Sequence, residues 1–109
     1  MKREINFGVC AGRHEIVTND GNLVKNYVFD KIVNPTDVVG LEAHARKYFK
    51  EYFETNGRPF SDVNVYVTGL TVATIAIVNV LLELKEVVCL WHYDRESEKY
   101  FSQKIYKCC

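Results

Sequence analysis

The chain predicts an α/β domain on a mixed sheet, Rossmann-like in outline, and three observations predict it. Val63–Val67 is a short, β-branched apolar run that ends in Thr68-Gly69-Leu70-Thr71. A strongly apolar helical pattern, Val72–Leu84, follows at once, and a near-continuous apolar run, Val87–Tyr93, follows that. Strand, helix and strand at this spacing form a β-α-β unit, and the two strands of such a unit run parallel.

The remaining elements are read in chain order. Glu4–Cys10 alternates as a half-buried strand does. Ala11-Gly12-Arg13 reads as a turn or as a bulge within a longer strand, and the bulge is preferred. Asn19-Asp20-Gly21-Asn22 separates His14–Thr18 from Leu23–Ile32, and its residue types tolerate positive φ, so the N-terminal third reads as an antiparallel hairpin. Asn34-Pro35-Thr36-Asp37 opens the first helix, with Asn34 or Thr36 as its cap. Val38, Leu41, Ala45, Tyr48, Phe49 and Tyr52 then recur at helical spacing, Lys47, Lys50, Glu51 and Glu54 fill the other face, and Asn56-Gly57 supplies the stop. Arg58–Ser61 is a linker. Thr71 or Thr68 is the expected cap of the second helix. That helix has so few polar residues that both of its faces should be covered, the outer one by a second copy of the chain. Val87–Tyr93 reads as a strand buried on both sides. Asp94–Lys99 is a charged turn, Tyr100–Tyr106 an edge strand, and Lys107–Cys109 a tail.

With 109 residues the chain fits a single domain spanning 1–109. Lys plus Arg equals Asp plus Glu at 14 each, so no global basic field exists to attract duplex nucleic acid. Val65–Leu84 has the length of a membrane span and carries one charge, Glu83. Tyr66, Thr68, Gly69, Thr71, Thr74 and Asn79 interrupt it, and a buried strand followed by a buried helix accounts for it better. The cysteines are Cys10, Cys89, Cys108 and Cys109. Cys89 sits in an apolar run as a small hydrophobe, and adjacent cysteines such as the last two rarely bridge. Lys2, Arg3 and Glu4 lead into no sustained apolar stretch, so a reducing, cytoplasmic setting without disulfides is expected.

Two segments carry candidate chemistry. Thr68-Gly69-Leu70-Thr71 joins a strand to a helix. There a helix N-terminus offers N–H groups to an anion, Gly69 allows close approach, and two threonine hydroxyls can donate. The plain alternative is a capped turn that binds nothing. His92-Tyr93-Asp94-Arg95 ends the parallel partner strand, so the β-α-β unit places it at the same sheet edge. There Arg95 suits an anion, Tyr93 suits a base, and His92 suits acid–base work. The alternative is a solvated hairpin turn. Gly8–His14 is a third segment, either a further wall of the same pocket or the bulge. Cys10/His14 and Cys89/His92 are weak metal pairs: an odd offset points Cys89 and His92 to opposite faces, and no Cys-x2-Cys spacing occurs. No metal or cofactor is therefore expected. Neither a Gly-x-Ser-x-Gly elbow nor a Walker-type loop is present.

Val63–Thr71 with its apolar helix resembles the ligand loop of CRISPR-associated Rossmann-fold (CARF-like) proteins, over about a fifth of the chain. The nearest type is the small single-domain ring nucleases and cyclic-oligoadenylate binders of prokaryotes and their viruses. The resemblance rests on Thr68, Gly69, Leu70 and Thr71. It implies a homodimer closing over a cyclic nucleotide in antiviral defence, with hydrolysis, where it occurs, needing no metal. The N-terminal hairpin departs from that family, which opens with a strand and then a helix. The expected function is thus binding of a phosphorylated nucleotide-type ligand by Thr68, Gly69, Leu70, Thr71, Tyr93 and Arg95, with His92 as the catalytic candidate. A small interaction or inhibitor protein acting by surface contact, such as an anti-defence factor, is the alternative.

Overall fold

The computed structural model describes residues 5–12, 14–32, 34–57 and 63–107. In chain order the elements are β1 (Ile5–Cys10), β2 (Asn26–Phe29), α1 (Val38–Asn56), β3 (Val63–Tyr66), α2 (Thr71–Leu84), β4 (Val87–Asp94) and β5 (Lys99–Tyr106). They form one five-stranded mixed sheet in the order β2-β1-β3-β4-β5. The first four strands are parallel, and β5 joins β4 antiparallel. This strand order is one of the two common doubly wound orders and is compatible with a Rossmann-like fold.

The order fixes the layers. The crossovers β2-α1-β3 and β3-α2-β4 move in the same direction across the sheet, so a common hand puts both helices on one face. The connection from β1 to β2 moves the other way and crosses the opposite face. The chain therefore has two β-α-β units rather than one. On the helical face Phe7, Val9, Val63, Val65, Val88 and Leu90 meet Leu41, Ala45, Phe49 and Phe53 of α1 and Ala76, Ile77, Val80 and Leu81 of α2. The α1 residues recur at i, i+4, the stripe that one side of a helix presents. Phe7 takes edge-on contacts from Phe49 and Tyr52, each at 5.0 Å between ring centroids. Outside the core, Arg46 makes a bidentate pair with Glu83, at 3.0 and 2.7 Å, which ties the two helices together.

The N-terminal third differs from the antiparallel ribbon. The turn exists: Gly21 has φ 84°, and its N–H donates to the Thr18 carbonyl at 2.9 Å. However, the hairpin shrinks to one bridge, Val17 with Leu23, and β2 pairs parallel with β1. The cause is burial. Ile16 and Val24 flank the turn and bury against Tyr66, with Tyr27, Trp91 and Tyr100 packed around them. The small hairpin thus covers the sheet face that the helices leave bare. Nor is there a bulge after Cys10: β1 ends there, and Gly12, at φ 79°, turns the chain out of the sheet.

The helix caps also differ. Asp37 caps α1, its Oδ1 accepting from the Gly40 N–H at 3.0 Å, while Asn34 accepts from Thr36 one turn earlier. Neither Thr68 nor Thr71 caps α2. Leu70 holds the N-cap position in a left-handed conformation, φ 55° and ψ 59°, without a side-chain cap bond. Within a single chain the outer face of α2 stays open, with Val72 and Ile75 41% and 53% exposed. β4 is buried only over Val88–Leu90, and its carboxyl half opens to solvent. No helix among the described residues is long and apolar enough to cross a membrane. The apolar stretch that suggested one divides into β3 and the 14-residue α2. The linker 58–61, Glu4, Arg13 and the cysteines at 108–109 lie outside the described residues.

Candidate functional site

The connections leave β1 and β3 toward opposite faces, and in open parallel sheets the crevice beyond such a divergence is where ligands bind. A cleft of about 940 Å³ opens at this end. Three segments line it: His14–Asn19, which follows β1; Val67 and Thr68, which follow β3; and His92, Tyr93, Arg95, Glu98, Lys99 and Tyr100, from the end of β4 and the start of β5. Four of the expected residues, Thr68, His92, Tyr93 and Arg95, meet here although they come from two separate segments.

Thr68 forms part of the wall where β3 ends. Its Oγ1 is buried and has no hydrogen-bond partner among the described residues. A buried hydroxyl without a partner costs about 1–3 kcal/mol, which is a reason to ask what bonds it in use. The rest of the turn diverges from the cleft. Gly69, at φ 83°, and Leu70, at φ 55°, are consecutive left-handed residues that swing the chain toward the helical face. Leu70 and Thr71 line a separate apolar hollow of about 190 Å³ with Ile32, Pro35, Leu41 and Val72. Gly69 is exposed and lines neither. A left-handed leucine is costly, and Thr74 helps to hold it by donating its hydroxyl to the Gly69 and Leu70 carbonyls, at 3.2 and 3.1 Å.

The opposite wall is aromatic and charged. Alternation along β4 sends His92 and Tyr93 to different faces. Tyr93 is half exposed and makes an edge contact with Tyr100 at 5.2 Å. Burial, followed by the neighbouring Tyr93 and Tyr27, raises the Tyr100 phenol above its ordinary range. His92 Nε2 is bonded to Gln103 Oε1 at 3.0 Å, and its ring lies against Phe101. One ring nitrogen is therefore committed to β5, leaving Nδ1 for any proton transfer. The charged turn is ordered by Asp94, which accepts from the Ser97 hydroxyl at 2.8 Å and from the Ser97 and Glu96 N–H groups at 3.3 Å. The Ser97 hydroxyl, then the two N–H groups, hold the Asp94 carboxyl below its usual range. Arg95 and Lys99 supply positive charge to the lining, and Glu15 and Glu98 offset it. Among the described residues no three His, Cys, Asp or Glu side chains gather as a metal site would require. Among the described residues Cys10 and Cys89 are buried and form no disulfide with each other.

Reading 8–14 as a bulge leaves out the wall at His14–Asn19. Reading Lys99 as the end of the charged turn and Tyr100 as the start of the edge strand gives neither a place in the cleft that both line. Searches against family models, curated proteins and solved structures found no match.

Proposed function

We propose that the protein is a homodimer that binds a phosphorylated nucleotide-type ligand, of the kind represented by cyclic oligonucleotide second messengers, in the cleft beyond β1, β3 and β4. The observation that carries this reading is the meeting of Thr68, Tyr93 and Arg95 at the carboxyl end of the parallel strands. Tyr93, beside Tyr100, is a stacking surface for a base, Arg95 and Lys99 suit phosphate oxygens, and the Thr68 hydroxyl lacks a partner among the described residues. The volume falls in the usual range of small-molecule sites, roughly 300–1,000 Å³. The resemblance of the Thr68–Thr71 turn to CARF-like loops supports a cytoplasmic role in prokaryotic antiviral defence. Hydrolysis of the ligand would rest on His92 and the ligand's own hydroxyl groups, without a metal.

Val72 and Ile75 support the dimer. Both helices start at the same sheet edge as the cleft, and Val38 and Val39 at the start of α1 are also exposed, at 50% and 81%. The same aliphatic residues favour the second reading, an interaction protein acting through this surface. Calorimetric titration of folded protein with cyclic and linear oligoadenylates separates the two. Saturable binding with light scattering at twice the chain mass supports the nucleotide reading. No binding at high micromolar concentration removes it and leaves the interaction protein.

A further inference from the structure

The hairpin over the bare sheet face is held at two places. At its base Ile16 and Val24 are 1% and 3% exposed, packed on Tyr66. At its tip Asn19 reaches β5: its Nδ2 donates to the Tyr100 carbonyl at 2.9 Å, and its Oδ1 accepts from the Tyr100 N–H at 2.9 Å. One side-chain amide thus fills both backbone groups of Tyr100, as a residue on a neighbouring strand would. The hairpin satisfies itself separately, through Thr18 N–H to the Asn22 carbonyl and Asn22 N–H to Thr18 Oγ1. The Asn19 amide is therefore left to join two walls of the cleft, since Asn19 and Tyr100 both line it from segments 81 residues apart.

We propose that Asn19 is the positioning residue of the nucleotide cleft, a latch that holds the His14–Asn19 wall against Tyr100 and so retains the ligand. The proposal rests on the nucleotide reading above. Ile16 and Val24 anchor the base of the hairpin whether or not the tip is bonded. Loss of the two hydrogen bonds of the Asn19 amide therefore frees the wall without unfolding the sheet. Retention by such a wall appears in the dissociation rate rather than in the association rate.

The test compares wild type, Asn19→Ala and Asn19→Asp by amide hydrogen exchange and by release of cyclic tetra-adenylate and AMP. Asn19→Asp keeps an acceptor for the Tyr100 N–H and loses the donor. Asn19→Ala is expected to speed exchange at 16–24 and at Tyr100, with α1 and β3 still protected. It should speed release of a bound probe by roughly tenfold, as the loss of two ordinary hydrogen bonds implies, with Asn19→Asp between. Unchanged exchange and release overturn the proposal, and faster exchange with unchanged release overturns the positioning role. If wild type binds neither probe, the nucleotide reading falls. Exchange alone then decides the latch: a selective rise sustains it as a clamp on the cleft, and no rise overturns it. Should Asn19→Ala fail to fold, Asn19→Asp carries the same comparison.

Discussion

The indole N–H of Trp91 donates to Asn64 Oδ1 at 2.9 Å, across the β3–β4 pair and two residues out of register. Asn64 passes the link on, its Nδ2 donating to Asn6 Oδ1 at 3.0 Å on β1. Three neighbouring strands are thereby joined by side chains on the face beneath the hairpin, where Trp91 also stacks on Tyr66 at 5.8 Å. Asn64 is only 6% exposed, so its amide has little access to water as a substitute partner. Asn64→Ala should leave the Trp91 N–H unpaired and lower stability by about 2 kcal/mol, the middle of the range for such groups. Trp91 is the one tryptophan in the chain, so its emission should shift with the same substitution. Urea denaturation followed by fluorescence reads both, and an unchanged midpoint would show that this link contributes nothing to stability.

Gly8 is the place where β1 makes room for the hairpin. A Cβ there would lie 2.5 Å from Tyr27 Cδ1 and 3.2 Å from Ile16 Cδ1. Both neighbours belong to the packing that holds the hairpin on the sheet. Gly8→Ala should therefore cost roughly 1–3 kcal/mol by overpacking and lift Ile16 from Tyr66. Thermal unfolding with exchange at residues 16–24 measures it. Exchange confined to β1 would show that Tyr27 alone absorbs the added methyl.

Much of the fold was legible because it rests on local pattern. The apolar strand β3, the amino half of β4 and the i, i+4 stripe of α1 carry their burial in the sequence. The pairing of β1 with β2 was not legible. Asn19–Asn22 does turn the chain, but a turn signal gives no information on how far the flanking strands continue. Burial of Ile16 and Val24 on Tyr66, a tertiary effect, cut the hairpin to one bridge. In the cleft, Thr68, His92, Tyr93 and Arg95 could be grouped because parallel strands bring their carboxyl ends to one edge. The departure of Leu70 and Thr71 could not be read, because a left-handed leucine has no local signature. A contact such as that of Asn19 with Tyr100 leaves no periodicity to detect.

Tyr48 gives a prediction in alkaline solution. Burial above all, then Tyr52 and Asp30, raises its phenol from 10.0 to about 12. The folded chain therefore holds this proton at pH values where the unfolded chain has released it. Its contribution to stability is complete below pH 10 and is lost as the pH rises from 10 towards 12. Absorbance titration at alkaline pH should show a late phenolate step that Tyr48→Phe removes. The variant's stability should also fall less steeply across this range than that of wild type. A late step that persists in Tyr48→Phe would assign it to another tyrosine.

Thr68→Val tests the cleft from the opposite direction, because function and stability should part. The hydroxyl is buried without a partner among the described residues, so exchanging it for a methyl removes an uncompensated polar group and nearly keeps the shape. Stability should rise by about 1 kcal/mol, the low end of the penalty for such a group. If the hydroxyl bonds a phosphate or ribose oxygen, affinity for a nucleotide should fall, by about tenfold for a bond contributing ~1.4 kcal/mol. A substitution that only damaged folding would lower both quantities, and one at an idle position would leave affinity unchanged. Denaturation and calorimetry on the same preparation distinguish these cases. A more stable protein that binds less well would mark Thr68 as a residue held at a cost for its ligand. A more stable protein with undiminished affinity would place the ligand elsewhere in the cleft, toward Tyr93 and Arg95.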